Sequence, residues 1–212
     1  HMAGIAELKN KVKAIYDELC EIESSNDKVD NNAYFKNIMQ DIKAKNNVIT
    51  NKFLSEAEDF LKDSYLKMLG VIIKQGKGDN INQDITFARI IAGVNVDNSI
   101  QDYYRFARKI KREDIDYFCE TFKDNDLKYR FIVDAFIIVG VGEHDDNQIS
   151  AITDIMEAMV MNKKQAEYLS ILSKSIIEQD ENIYTYFTKI EGEDINTDLF
   201  SDYTDKYIIK DI

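Results

Sequence analysis

The chain of 212 residues carries a formal net charge of −12, with 44% hydrophobic and 31% charged residues, no proline and 8 glycines. That balance excludes a disordered chain. It argues against nucleic acid phosphates and anionic membranes as partners, and it suits basic protein surfaces and divalent cations.

Strand-rich folds recruit Pro and Gly for their turns, so the composition points to helices joined by short Asn/Asp loops. His1-Met2 reads as a cloning remnant. Cys20 and Cys119 give neither a disulfide framework nor metal-ligand spacing and read as buried thiols of a reducing cytoplasm. No apolar run approaches the roughly 18 residues that span a bilayer, so direct membrane insertion is not expected. No signal-peptide pattern opens the chain, and a cytoplasmic location is expected.

In chain order, Ile5, Leu8, Val12, Ile15, Leu19 and Ile22 alternate three- and four-residue steps, a heptad seam on a first helix. After the polar loop Asn26 to Asn32, Phe35, Ile38 and Ile42 mark a second helix, and residues 3–54 read as a helical hairpin. Ser55 with Glu58 forms a capping-box start for a helix to about Lys74, with Phe60, Leu61, Tyr65, Met68, Leu69 and Ile72 facing inward. The loop Gln75 to Asn80 leads to a helix from about Asn82 to Gly93. Ser99 with Asp102 opens a helix bearing Tyr103, Phe106 and Ile110. Glu113 to Phe122 presents Ile115, Phe118 and Phe122. Asp124-Asn125-Asp126 breaks it before an apolar helix from about Leu127 to Gly140. The polar loop Glu143 to Asn147 precedes a helix from about Ser150, and Asn162 caps or breaks the chain before Ala166, Leu169, Leu172 and Ile176. Residues 180–212 read as an acidic aromatic tail packed on the bundle, with Tyr184, Tyr186, Phe187, Phe200, Tyr203 and Tyr207.

Residues 55–179 contain an internal repeat. Setting Ile81 against Ile149 also pairs Leu69 with Ile137, Ile73 with Val141, Ala88 with Met156 and Ile91 with Met159. A unit that cannot bury its apolar face alone buries it against its copy, so the expected fold is an all-α bundle of two repeated helical units. The run Phe131 to Gly140, then His144-Asp-Asp-Asn-Gln-Ile-Ser150, then Ile155 to Leu172, resembles the tellurite-resistance TerB-like family. The likeness spans roughly residues 56–179 and is clearest at 131–172. Asn147 stands where that family usually has Gly, and Thr153 near its usual Glu. The resemblance implies a duplicated helical bundle, a role in bacterial stress or tellurite resistance, and metal binding.

Glu143, Asp145, Asp146, Asn147 and Gln148 gather oxygen ligands of the kind that Ca²⁺ or Mg²⁺ prefers. The candidate cation ligands are Asp145, Asp146 and Asn147, with Asp79 and Asp154 contributing. The loop lacks EF-hand spacing, and its Asp or Asn residues equally suit a helix cap. His144 alone makes a poor transition-metal site. Asp134, in an apolar helix, needs a partner, and Arg130 lies four residues earlier on the same face. The basic run Arg105 to Arg112 reads as a solvated helix end. No paired nucleophile and base is visible.

The first functional reading is therefore a non-enzymatic TerB-like module that binds a protein partner with a basic surface, with a homodimer left open. A metal-dependent hydrolase would instead need carboxylates converging from both repeat loops. An acidic nucleic-acid mimic would spread them along one face at phosphate-like spacing.

Overall fold

In the computed structural model, residues 4, 7, 10–15, 33–179 and 194–203 are described. These residues are helical with short connections, and no strand occurs among them. Short polar side chains set many of the boundaries by satisfying backbone N–H groups that a helix start leaves unpaired. Residues 33–44 form α1. Asn51 caps α2 (Lys52–Ser55), its Oδ1 accepting from the Leu54 N–H. Next come α3 (Asp59–Lys74), then α4 (Ile81–Val94), capped by Asn80, and α5 (Ile100–Arg108), opened by the expected Ser99–Asp102 capping box. The remaining helices are α6 (Arg112–Phe122), α7 (Leu127–Gly140), α8 (Asp146–Ala158) and α9 (Lys163–Glu178), the last capped by Asn162. A 3₁₀ turn, Thr197–Phe200, follows.

Three expectations change. Ser55 does not start the long helix. It ends α2, and its hydroxyl donates to the Gly93 carbonyl at 3.1 Å, because Asn51 has already opened a separate turn. The helix expected from Ser150 begins four residues earlier, at Asp146, because Asp145 and Gln148 form its capping box. Phe60, expected inward, is 49% exposed, while Leu61 beside it packs on the core. The expected N-terminal hairpin falls largely on residues outside those described, Cys20 among them. Tyr184, Tyr186, Phe187 and Tyr207 of the tail also lie outside them.

The core forms around α3 and α7, which touch each other. α3 packs most closely on α5, and α7 on α9. α4 lies against α7, and α8 against α3. Tyr65, Leu66, Leu69, Phe131, Ile132, Val133 and Leu172 are fully enclosed. Two glycines permit close backbone approach. A Cβ on Gly93 would stand 1.9 Å from the Ile49 carbonyl oxygen, and one on Gly70 3.2 Å from that of Tyr103. The described part of the tail joins this core through Ile195, Leu199, Phe200 and Tyr203. Among the described residues no helix is long and apolar enough to cross a membrane.

Candidate functional site

The proposed cation ligands fall into the first turn of a helix and its surroundings. Asp145 Oδ1 accepts from the Asn147 N–H at 2.9 Å, so this carboxylate caps α8. Asp146 and Asn147 are exposed first-turn residues, and Asp154 lies on the solvent face of the same helix. Asp79 is almost fully exposed, 3.9 Å from Lys74 Nζ. Among the described residues no three His, Cys, Asp or Glu side chains come together in a way that could hold a metal ion.

The two loops do meet, through amides. Gln148 Nε2 donates to Gln83 Oε1 at 2.8 Å and to the Ile73 carbonyl at 2.9 Å, while Asn80 Nδ2 donates to the Glu143 carbonyl at 2.9 Å. Buried amides need such partners, and these interlock the α3–α4 and α7–α8 connections. His144 is exposed.

Asp134 finds the partner that its sequence position required. Arg130 Nε donates to its Oδ1 at 2.8 Å, both side chains being fully buried. The Tyr65 and Tyr203 hydroxyls donate to the same carboxylate at 2.6 and 2.7 Å. The guanidinium also donates to the Leu199 carbonyl at 2.8 Å and the Thr50 carbonyl at 2.9 Å. Burial is the largest single influence and disfavours the Arg130 charge, but Asp134, Tyr203 and Tyr65 together outweigh it and the pKa rises. A pair this fully satisfied ties three distant segments together and leaves no donor or acceptor aimed at a ligand.

A second polar cluster was not foreseen. The Tyr104 hydroxyl donates to buried Asp84, and Lys74 Nζ stands 4.1 Å from the centroid of the Tyr104 ring. Burial raises the pKa of Asp84 against the opposing effects of Tyr104 and Lys74. Burial lowers that of Lys74 against the pull of Asp84 and Asp79. The periodicity of α4 gave no cue. The helix buries Gln83, Asp84 and Thr86 as well as Phe87, Ile90 and Ile91, so its inward face is wider than one apolar stripe.

The feature least explained by folding lies on the outer side of α3 and α6. Phe60 and Tyr117, 49% and 57% exposed, flank a groove of about 210 Å³ that Asp63 and Asp114 also line. Asp63 is shared with an adjoining hollow of about 290 Å³ lined by Asp59 and Asp97. Lys67 partly balances the charge, binding Asp63 at 2.7 Å with its ammonium over the Phe106 ring. The basic run beyond Arg105 stands apart from this trough: Arg105 pairs with Asp102 at 3.3 Å, and Lys109, Lys111 and Arg112 are exposed. Exposed aromatic side chains ringed by carboxylates can hold a cation against a π face and an aliphatic stem against a ring. Sequence reasoning missed Phe60 because it was taken to face inward with Leu61, and Tyr117 lay off the Ile115, Phe118 and Phe122 spacing and drew no reading. In comparison with known proteins, the chain matches no protein-family profile, and no curated protein or solved structure is significantly similar to it.

Proposed function

We propose that the chain is a non-enzymatic protein-interaction module, built on a duplicated, TerB-like helical plan, that docks a basic segment of a partner in the α3–α6 trough. The observation that carries the reading is the pair of exposed aromatics, Phe60 and Tyr117, in a groove lined by Asp63 and Asp114. Aromatic residues concentrate at the centres of binding surfaces, and the net charge of −12 draws a basic partner toward the groove.

The duplication is supported by the order α3–α4–α5 and α7–α8–α9, with α4 laid on α7 and α8 on α3. Gln83 and Gln148, each the third residue of its helix, pair reciprocally between the units. In this register the caps Asn80 and Asp145 correspond, rather than Ile81 and Ile149. A divalent cation at the Asp145 loop receives no support from a carboxylate already engaged as a cap. The bacterial stress setting rests on the TerB-like resemblance alone.

The reading is tested by fluorescence anisotropy with a labelled Arg/Leu peptide and its uncharged Gln/Leu counterpart. The basic peptide is expected to bind more tightly, and F60S/Y117S is expected to weaken it about tenfold, the loss of roughly 1.4 kcal/mol. Binding that ignores both substitutions would refute the trough as the docking site.

A further inference from the structure

A larger groove of about 690 Å³ lies between α1 and the α4–α5 connection, with the opposite charge character. Its floor is apolar, formed by Phe35 and Met39 from α1 against Ile91 of α4 and Ile100 of α5. Ile91 and Ile100 are buried, whereas Phe35 and Met39 are half-covered, so among the described residues an apolar channel beside α1 is left unfilled. The rim on the α1 side carries Lys36 and Lys43, both exposed, with neutral Gln40 between them. Asp97, on the connection, is the one carboxylate in the lining. In a chain of charge −12, that is a local reversal of sign.

We infer that this groove binds an acidic amphipathic helix of a protein partner, with two apolar anchors on the floor and carboxylates facing Lys36 and Lys43. Helical rise sets the spacing. Lys36 and Lys43 are seven residues apart on one face, about 10 Å or two turns. A partner helix laid along α1 matches them with acidic residues one heptad apart and fills the channel with side chains at i and i+3 or i+4 between them. Repulsion from the rest of the molecule does not forbid this. Charges beyond roughly 8 Å are largely screened at physiological ionic strength, so the two lysines at the rim dominate what the helix meets. The volume also lies in the ~300–1,000 Å³ range of small-molecule sites, which makes a single-chain anionic amphiphile the competing occupant. The channel is open at the rim rather than enclosed, and two cations a heptad apart exceed what one head group requires. This site is separate from the α3–α6 trough, and the two stand or fall independently.

The test uses the full chain and a labelled amphipathic helical peptide of Leu and Glu with Glu at heptad spacing, read by anisotropy, alongside a scrambled peptide of the same composition. The ordered peptide is expected to bind at least about tenfold more tightly than the scrambled one. K36E/K43E is expected to weaken it about tenfold, and F60S/Y117S to leave it unchanged. K36Q/K43Q separates loss of attraction from introduced repulsion, with an intermediate loss expected. Both lysines are exposed, so the variants should fold, and matching thermal melts establish that they do. Equal binding of ordered and scrambled peptides, or binding indifferent to the lysines, overturns the inference. So does dodecanoate binding that depends on Lys36 and Lys43 where the peptide does not bind.

Discussion

The Arg130–Asp134 seam and the α3–α6 trough use the same chemical vocabulary of carboxylate, cation and tyrosine, yet they sit at opposite ends of the accessibility scale. In the seam Arg130 and Asp134 are fully enclosed and have their hydrogen bonds within the chain. In the trough Tyr117 and Phe60 are half in water, and the carboxylates line open space. Residue type alone therefore does not separate structural from functional polar groups. The separation comes from whether the fold itself supplies all the partners.

The sharpest way to break this comparison is to remove one member of the seam. Asp134→Ala leaves the buried Arg130 guanidinium with only Asp202, 3.6 Å away, as a counter-charge, and leaves two tyrosine hydroxyls without an acceptor. The expected loss is about 3–5 kcal/mol of unfolding free energy, measured by urea denaturation. R130M/D134L should recover part of that loss, since it avoids the isolated charge while leaving the Tyr65 and Tyr203 hydroxyls and the Thr50 and Leu199 carbonyls without these partners. If the single and double variants are equally unstable, the pair is not the self-contained unit described. Gly93→Ala probes close packing without touching charge. Its methyl group would collide with the Ile49 carbonyl, and a loss of about 1–3 kcal/mol or more is expected from the same measurement.

A smaller effect of opposite sign is expected at Val160. This β-branched residue is 82% exposed and has φ of 58°. The Met161 N–H bonds to the Met156 carbonyl, and the Val160 N–H to that of Glu157, the pattern that normally recruits Gly at this position. Val160→Gly should stabilise by roughly 0.5–1 kcal/mol, because relief of the left-handed strain exceeds the added chain entropy. An unchanged melting temperature would mean that the turn is not strained.

The smallest effect concerns pH. Asp84 has a folded pKa raised above its ordinary value of 3.8. The folded state therefore holds this proton longer than the unfolded state, and the wild type loses stability as pH rises from 3.8 through the folded pKa. Relative to Asp84→Asn, the wild type should fall progressively behind across that window. A difference that is flat with pH would contradict the burial of an ionisable group there.

Much of the helical order was legible because the cues were local. Leu127 to Gly140 is bounded as expected, since an apolar run is flanked by Asp126 on one side and a polar loop on the other. Ser99 with Asp102 announces α5 through capping chemistry, and Asn162 marks the break at which α9 begins. The acidic loop was ambiguous for a physical reason. An aspartate oxygen that can bind a cation can equally accept a backbone N–H, and Asp145 does the second. Phe60 escaped because helical periodicity says which residues share a face, but not how far a neighbouring helix covers it. The cluster at Asp84 joins side chains from α3, α4 and α5, and no spacing within one helix encodes such a meeting.

The guanidinium of Arg130 has an implication for synthesis. It reaches back to the Thr50 carbonyl and forward to Leu199, while Tyr203 completes the shell of Asp134. A growing polypeptide cannot close this seam until residue 203 has left the ribosome. Until then Arg130 lacks its Leu199 acceptor and Asp134 its Tyr203 donor, and the seam at the heart of α7 waits unsealed.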